Sequence, residues 1–418
     1  MRLRNLLIIL LFILPGCLGE SAEEVGSVPN AEISIEVWYT FAAESIEEEV
    51  FFDAVDAFST ETGIDVKATR VSFTDADQLF INSAQGGEAP DLIRIASDAL
   101  GKFGEIRVDG APLFEDLRPH LTPHERSKYD ATSLDSMRYG ESLYAIPAST
   151  DCLSLIYNKA LFDGMEEPNE NWTLEDLIDA GNRVGLEFPV KNAYWWFSFL
   201  GGFGGELFDE NGTPTLDVNG APESLDFMMS LELEYGIVPA GTQIISMENS
   251  FEAWETGMVI DGAWNWARYG KGIEDLGQTL LPKVGSTGKH LSPLVTYKGW
   301  AVSKQSPEKV AATQLALYLS SEEVQKQFAL ETYTIPTAES LKYDSEILED
   351  PVLTGFTRQA ELGTPAPTLR GMSKVYDALS PAFEQVYTGT SDAQTALTMA
   401  DEELERMLSC LLYTSDAA

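Results

Sequence analysis

Between Ile33 and Ala68 the apolar residues change period twice, and that change limits the folds open to the chain. Ile33, Ile35 and Val37 alternate with polar neighbours, the period of a strand with one face buried. Ser45 followed by Glu48 forms a capping-box pair. It heads a stretch in which Ile46, Val50, Ala54 and Phe58 recur every four residues, the stripe of a helix. Gly63 is placed to end that helix, and Ile64, Val66 and Ala68 alternate again. A helix between two strands carries the chain back to its starting end, so the strands pair in parallel.

The alternation continues. "APDLIRIASDAL" supplies a third apolar strand that opens into a loop. Thr173 with Asp176 starts a helix toward Val184, and Leu225, Met228, Met229 and Leu233 keep helical spacing in the stretch from Glu223 to Glu234. Asn211-Gly212 between short strand-like runs reads as a hairpin. Trp300-Ala301-Val302 reads as a strand. Ser306-Pro307 reads as the start of a helix to Leu319, and Ser320 with Glu323 as the start of the next. There is no internal repeat, and strands mixed with helices throughout give an α/β class.

With 418 residues the chain has material for two or three domains. Its net charge of −40 disfavours nucleic acid and anionic lipid as partners. Cys17, Cys152 and Cys410 are too few and too scattered for a disulfide framework or a zinc site, and Cys152 lies in an apolar run as a core residue would. "MRLRNLLIILLFILPGC" has a basic end, a short apolar run and a small residue before Cys17. It reads as a signal peptide over residues 1–16. Leu14-Pro15-Gly16-Cys17 resembles a lipobox, with Cys17 as the lipid-bearing residue and residues 17–30 as a tether. The end, "CLLYTSDAA" (410–418), reads as a non-native tail and is set aside.

Several kinds of chemistry are missing. There is no G-x-S-x-G elbow and no phosphate-binding P-loop. "GGFGGE" (201–206) opens no helix and reads as a close backbone approach. Pro119 and Pro123 break any helix that would align His120 with His124 on a metal. No cofactor and no metal are expected, and no pair of carboxylates stands out as a catalytic acid and base.

Five blocks, in order, resemble family 1 extracellular solute-binding proteins, the maltose-binding-protein-like group of carbohydrate ABC importers. They are "FSTETGIDV", "GGEAPDLI", "LYAIPASTDCLSLIYNKALF", "FEAWETGMVIDGAW" and "GWAVSKQSPEKVAATQLALYLSSEEVQ". The resemblance spans roughly residues 31–405. Trp254 stands where the family has glycine, and Gly257 where alanine is usual. The resemblance implies a two-lobe periplasmic-binding-protein fold, each lobe a mixed, mainly parallel sheet flanked by helices. Residues 31–149 and 295–338 form the N-terminal lobe, and 150–294 and 339–405 the C-terminal lobe. The chain crosses between them near Ser149 to Cys152, Leu291 to Thr296 and Pro336 to Leu341. It implies a monomer held on the outer face of the cytoplasmic membrane. The monomer binds a sugar in the cleft, catalyses nothing, and hands its ligand to the membrane permease.

A pyranose has apolar C–H faces and a hydroxyl rim. Flat aromatic rings suit the faces, and charged or amide groups suit the rim. By position in the family pattern, Trp264 is the stacking residue, with Trp266 open between cleft wall and core. Tyr194 and Trp195 belong to an aromatic segment of the cleft, and Tyr376 is a further stacking ring. Arg370 is a candidate for the hydroxyls. Asp151 matches the polar residue at the first crossing and Asp98 an acid after the second strand, with Thr40 and Glu44 in the first strand-to-helix loop. For Glu44 a solvated acid near a helix start is an equal reading. A polyamine or sugar phosphate ligand, and a secreted glycosidase, are the rival functions. Asn171 and Asn211 lie in glycosylation sequons.

Overall fold

The structure, a computed structural model, describes residues 33–369 and 371–415, with side chains through residue 409. Strand β1 (Ser34–Tyr39), helix α1 (Ile46–Thr62) and strand β2 (Asp65–Arg70) form the expected unit, with β1 and β2 parallel. The Ser45 hydroxyl accepts from the Glu48 amide at 3.1 Å. Only that half of the capping box forms. The Glu48 carboxylate turns instead to the Glu44 N–H and the Tyr39 hydroxyl, at 2.7 and 2.8 Å. Gly63 ends α1 in the left-handed region at φ 73°, where a side chain would be strained. Helix α2 (Ala76–Gly86) leads to β3 (Leu92–Ala96), parallel to β1 on its other side.

Strand β4 (Ala145–Asp151) completes the first half, and β5 (Leu153–Asn158) follows after the single residue Cys152. That one residue separates the last strand of one sheet from the first of another. Next come α3 (Leu174–Val184), with both halves of its Thr173–Asp176 capping box formed, β6 (Leu186–Glu187), and α4 (Ala193–Phe203). At the end of α4, Gly201 and Gly202 face the backbone of Ser292 and Leu291 so closely that a Cβ would collide. This is the close approach expected of the glycine run. The Asn211-Gly212 turn forms with Gly212 at φ 78°, but its strands shrink to one bridge, Phe208 with Pro214. Helices α5 (Ala221–Leu233) and α6 (Ile244–Glu252) precede β7 (Met258–Gly262) and β8 (Leu276–Thr279). Trp254, at the family's glycine position, holds φ 63°, so the backbone keeps a conformation that glycine adopts freely.

Strand β9 (Leu294–Val302) returns to the first sheet and is buried along all nine residues. Phe51 of α1 stacks on its Trp300 with ring centroids 5.6 Å apart. Helix α7 (Lys309–Leu319) starts later than Ser306-Pro307 suggests; the Ser306 hydroxyl donates to Asp91 and accepts from the Glu308 N–H, forming a turn ahead of the helix. Helix α8 (Glu322–Thr332) is capped by Ser321, since the Ser320 hydroxyl faces the Ile146 carbonyl. Then come β10 (Ile335–Pro336), α9 (Pro351–Glu361), β11 (Thr364–Pro365), α10 (Met372–Tyr387) and α11 (Ala393–Ser415). Helix α11 runs on into the segment set aside on sequence grounds.

The first sheet has the order β10-β4-β9-β3-β1-β2, with β11 added on β9, and the second β6-β7-β5-β8. Within these two sheets the parallel pairs are β1–β2, β1–β3, β9–β11 and β6–β7. The returning strand β9 is antiparallel to both β3 and β4, and β5 is antiparallel to β7 and β8. The sheets are therefore mixed rather than mainly parallel. Strands that carry the chain between sheets run against those wound by helices.

Candidate functional site

The carboxyl ends of β1, β3 and β4 lie on one edge of the first sheet, with β9 between β3 and β4, the place where an open α/β sheet presents ligand groups. Asp98 follows β3 on the turn Ser97–Ala99, and the Ser97 hydroxyl pins that turn by accepting from the Tyr297 N–H at 3.0 Å. Asp151 ends β4. Its Oδ2 lies 3.5 Å from Nζ of Lys298, a residue only 8% exposed in the middle of β9. Register accounts for the meeting: Thr296 lies opposite Asp151, and Lys298 stands two residues further along the same face. The Arg94 guanidinium donates to the Thr40 hydroxyl at 3.0 Å and lies 4.3 Å over the Phe41 ring. Burial lowers its pKa, and Asp151 and Glu47 oppose that shift. Glu47, in the first turn of α1, is pushed up to about 7 by desolvation, with Arg94 pulling it down and Asp151 pushing it up.

The aromatic side comes from the second half of the fold. Asn192 caps α4, its side chain accepting from the Tyr194 N–H at 3.0 Å. Tyr194 and Trp264 lie with ring centroids 6.4 Å apart. Burial raises the Tyr194 phenol well above its ordinary value, and Asp151 and Asp98 add to the shift. The phenol is thus a neutral hydroxyl beside two carboxylates. Tyr376, on α10, donates to Asp98 Oδ2 at 3.4 Å and packs against Phe197 at 5.6 Å. This hydrogen bond joins α10 to the turn after β3.

Trp264 rides on a short turn, Ala263–Asn265, directly after β7. A Cβ on Gly262 would fall inside its indole, so glycine makes room for the ring. Asp261, 1% exposed, holds the turn from beneath. It accepts from the Gly262 N–H at 2.8 Å, the Asn265 side chain at 2.9 Å and the Tyr269 hydroxyl at 2.6 Å. Burial pushes its carboxyl up to about 6 against those three donors.

The structure thus brings together Asp98, Asp151, Tyr194, Trp264 and Tyr376, with Thr40 joined through Arg94. Two tryptophans go elsewhere. Trp195 is buried, its indole N–H donating to the Ile260 carbonyl at 2.6 Å. Trp266 is buried against Tyr333 and Phe356, each with ring centroids 5.7 Å away. Both are core residues, because α4 and the turn after β7 each present one aromatic outward and bury its neighbour. Glu44 is exposed, and its recorded contact is its backbone N–H to Glu48. Arg370 and Cys17 lie outside the described residues. Sequence reasoning missed Lys298, Arg94, Glu47 and the support from Asp261. A lysine inside the apolar run "LVTYKGWAV" was the one visible signal.

A cavity of about 590 Å³ lies at the foot of α4, lined by Phe197, Gly201, Glu206, His290 and Thr364 among others. It contains none of the expected site residues. A second, of about 450 Å³, includes Tyr376 and Asn192 in its wall. No cluster of acids, histidines or cysteines suited to a metal occurs among the described residues.

The chain is 26% identical over 367 residues to the galactooligosaccharide-binding protein of Bacillus subtilis (strain 168), covering 84% of each chain. It is 25% identical to the maltotriose-binding protein of Pyrococcus abyssi (strain GE5 / Orsay), over 76% of this chain and 70% of that one. Among solved structures, the maltose/maltodextrin-binding domain MalE from Bdellovibrio bacteriovorus bound to maltotriose superposes with a TM-score of 0.81. It has 25% identity, over 90% of this chain and all of that one. The maltotriose-binding protein of Thermus thermophilus shares the fold at 23% identity and a TM-score of 0.79, over 90% of this chain and 100% of that one. The family model for bacterial extracellular solute-binding proteins matches residues 42–326. With a match over well more than half its length, on a fold of two linked sheets, the chain belongs to the bacterial extracellular solute-binding protein family.

Proposed function

We propose that the protein is the extracytoplasmic substrate-binding component of an ABC importer. It binds a sugar or oligosaccharide in the cleft between its lobes and delivers it to the permease. The observation that carries this reading is the pairing of Tyr194 and Trp264 with Asp98 and Asp151 in one group. Rings cover the faces of a pyranose, and carboxylates take its hydroxyl protons. Relatives named for galactooligosaccharide and maltotriose binding support it. The lobes are residues 31–149 with 295–338, and 150–294 with 339–405. Cys152 and the ends of β9 and β10 are the bending points as the cleft closes. Lys298 and Arg94 offset the acids of the site, which favours a neutral sugar over a polyamine. Cys17 is the lipid anchor, and the mass of the N-terminal peptide from membrane-bound protein tests that.

A thermal-shift screen across mono- and oligosaccharides tests the function. A cognate sugar at a hundred times its Kd adds about 2.7 kcal/mol of stability and raises the melting temperature visibly. No shift with any sugar, and a shift with spermidine or a sugar phosphate, would overturn the carbohydrate reading.

A further inference from the structure

Phe73 is 56% exposed, on the loop that follows β2. A single exposed phenyl is common on soluble proteins, so exposure alone assigns it nothing. Its placement does. The loop is held as a fixed turn: the Val71 N–H bonds the Tyr39 carbonyl at 2.9 Å, and the Asp75 and Ala76 amides bond the Ser72 carbonyl at 3.1 and 2.9 Å. The turn folds over the carboxyl ends of the parallel strands, far enough across the sheet for the Phe73 ring to reach β9. There Lys298 Nζ lies 4.7 Å from the ring centroid. The same ammonium is 3.5 Å from Asp151. Asp151 acts electrostatically on Tyr194, whose ring lies 6.4 Å from that of Trp264. A continuous path of contacts and fields therefore runs from Phe73 to Trp264 through the charged floor of the site.

We propose that Phe73 is a ligand-binding residue, the aromatic wall contributed by the first sheet, opposite Tyr194 and Trp264 of the second half. The inference rests on the carbohydrate reading above and deepens it. The ligand is a pyranoside with an apolar C–H face turned toward Phe73, and its hydroxyl edge lies over the Lys298–Asp151 pair. The cation beneath the ring fixes the phenyl in place, so little side-chain freedom is lost when a sugar ring packs against it.

The test is titration calorimetry with maltotriose and with a galactotriose on wild type, Phe73→Ala and Phe73→Trp, alongside the melting temperature of each unliganded protein. Phe73→Ala should lose at least about tenfold in affinity, the scale of one apolar ring contact. Its unliganded melting temperature should stay at the wild-type value, because an exposed side chain contributes little to the core. Phe73→Trp should restore binding. Wild-type binding of either sugar with Phe73→Ala unchanged overturns the role of Phe73 and leaves sugar binding standing. Absence of wild-type binding to any mono- or oligosaccharide overturns both.

Discussion

Asp261 and Trp264 divide one task between them, and their variants should fail differently. On the proposed function, Trp264 stacks on the ligand. Losing about 100 Å² of stacking surface costs about 2.5 kcal/mol of binding, so Trp264→Ala should bind its sugar tens of times more weakly while folding normally. Asp261 is buried beneath the turn and acts through it. Its removal leaves the Gly262 N–H and the Tyr269 hydroxyl without their acceptor and the Asn265 amide with Glu248 alone. Each buried unpaired group costs about 1–3 kcal/mol. Asp261→Ala should therefore lose both stability and affinity, read by urea denaturation and calorimetry. Equal stability of the two variants would remove Asp261 as the support of the turn. The contrast also shows what a sequence can convey. Trp264 was legible because an indole among glycines is odd. Asp261 was not, because one acid beside it says nothing about which donors the turn will supply. Trp195 and Trp266 stayed open between the two readings because an indole suits a core as well as a cleft, and only burial separates them.

At the scale of elements, the helices and the parallel strands were readable because each depends on local signals, such as the Thr173–Asp176 capping box and the glycine after α1. The pairing of β9 between β3 and β4 was not, because it joins residues about 150 to 200 positions apart. Lys298 finds Asp151 only through that register. Cys152 lies at the junction this topology creates, the single residue between β4 and β5. It is fully buried, and burial, with Asp151 adding, drives its thiol pKa far above the ordinary range. The thiolate is the reactive form. Cys152 should therefore stay unmodified by iodoacetamide in the folded protein and react once concentrated guanidinium unfolds it, as followed by peptide mass spectrometry. Rapid labelling of Cys152 in the folded state would show that the junction opens on the labelling timescale, contrary to its packing.

At the scale of the whole molecule, charge sets how this exported protein responds to its medium. A net charge of −40 makes the folded chain repel itself. Added salt shortens the reach of that repulsion, to about 10 Å at an ionic strength of about 0.1 M. Acid acts in the same direction through particular groups. Asp261 is pushed up to about 6 and Glu47 up to about 7, both above their unfolded values. Between roughly pH 4 and 7 the folded state therefore holds more protons than the unfolded one, so this contribution to stability falls as pH rises through that window. Other carboxylates pull the opposite way at lower pH. Lys326 holds Asp344 below its ordinary range and Arg358 does the same for Glu170, and protonating these partners loses what stability they add. The two trends place the stability maximum on the acid side of neutrality. The melting temperature should be higher at about pH 5.5 than at about pH 8 in low salt, and molar sodium chloride should narrow the gap by relieving repulsion at the higher pH. Asp261→Asn removes one of the titrating groups and should flatten part of the slope. A melting temperature that rises steadily toward pH 8 in low salt would mean that Asp261 and Glu47 are not the groups that set the slope.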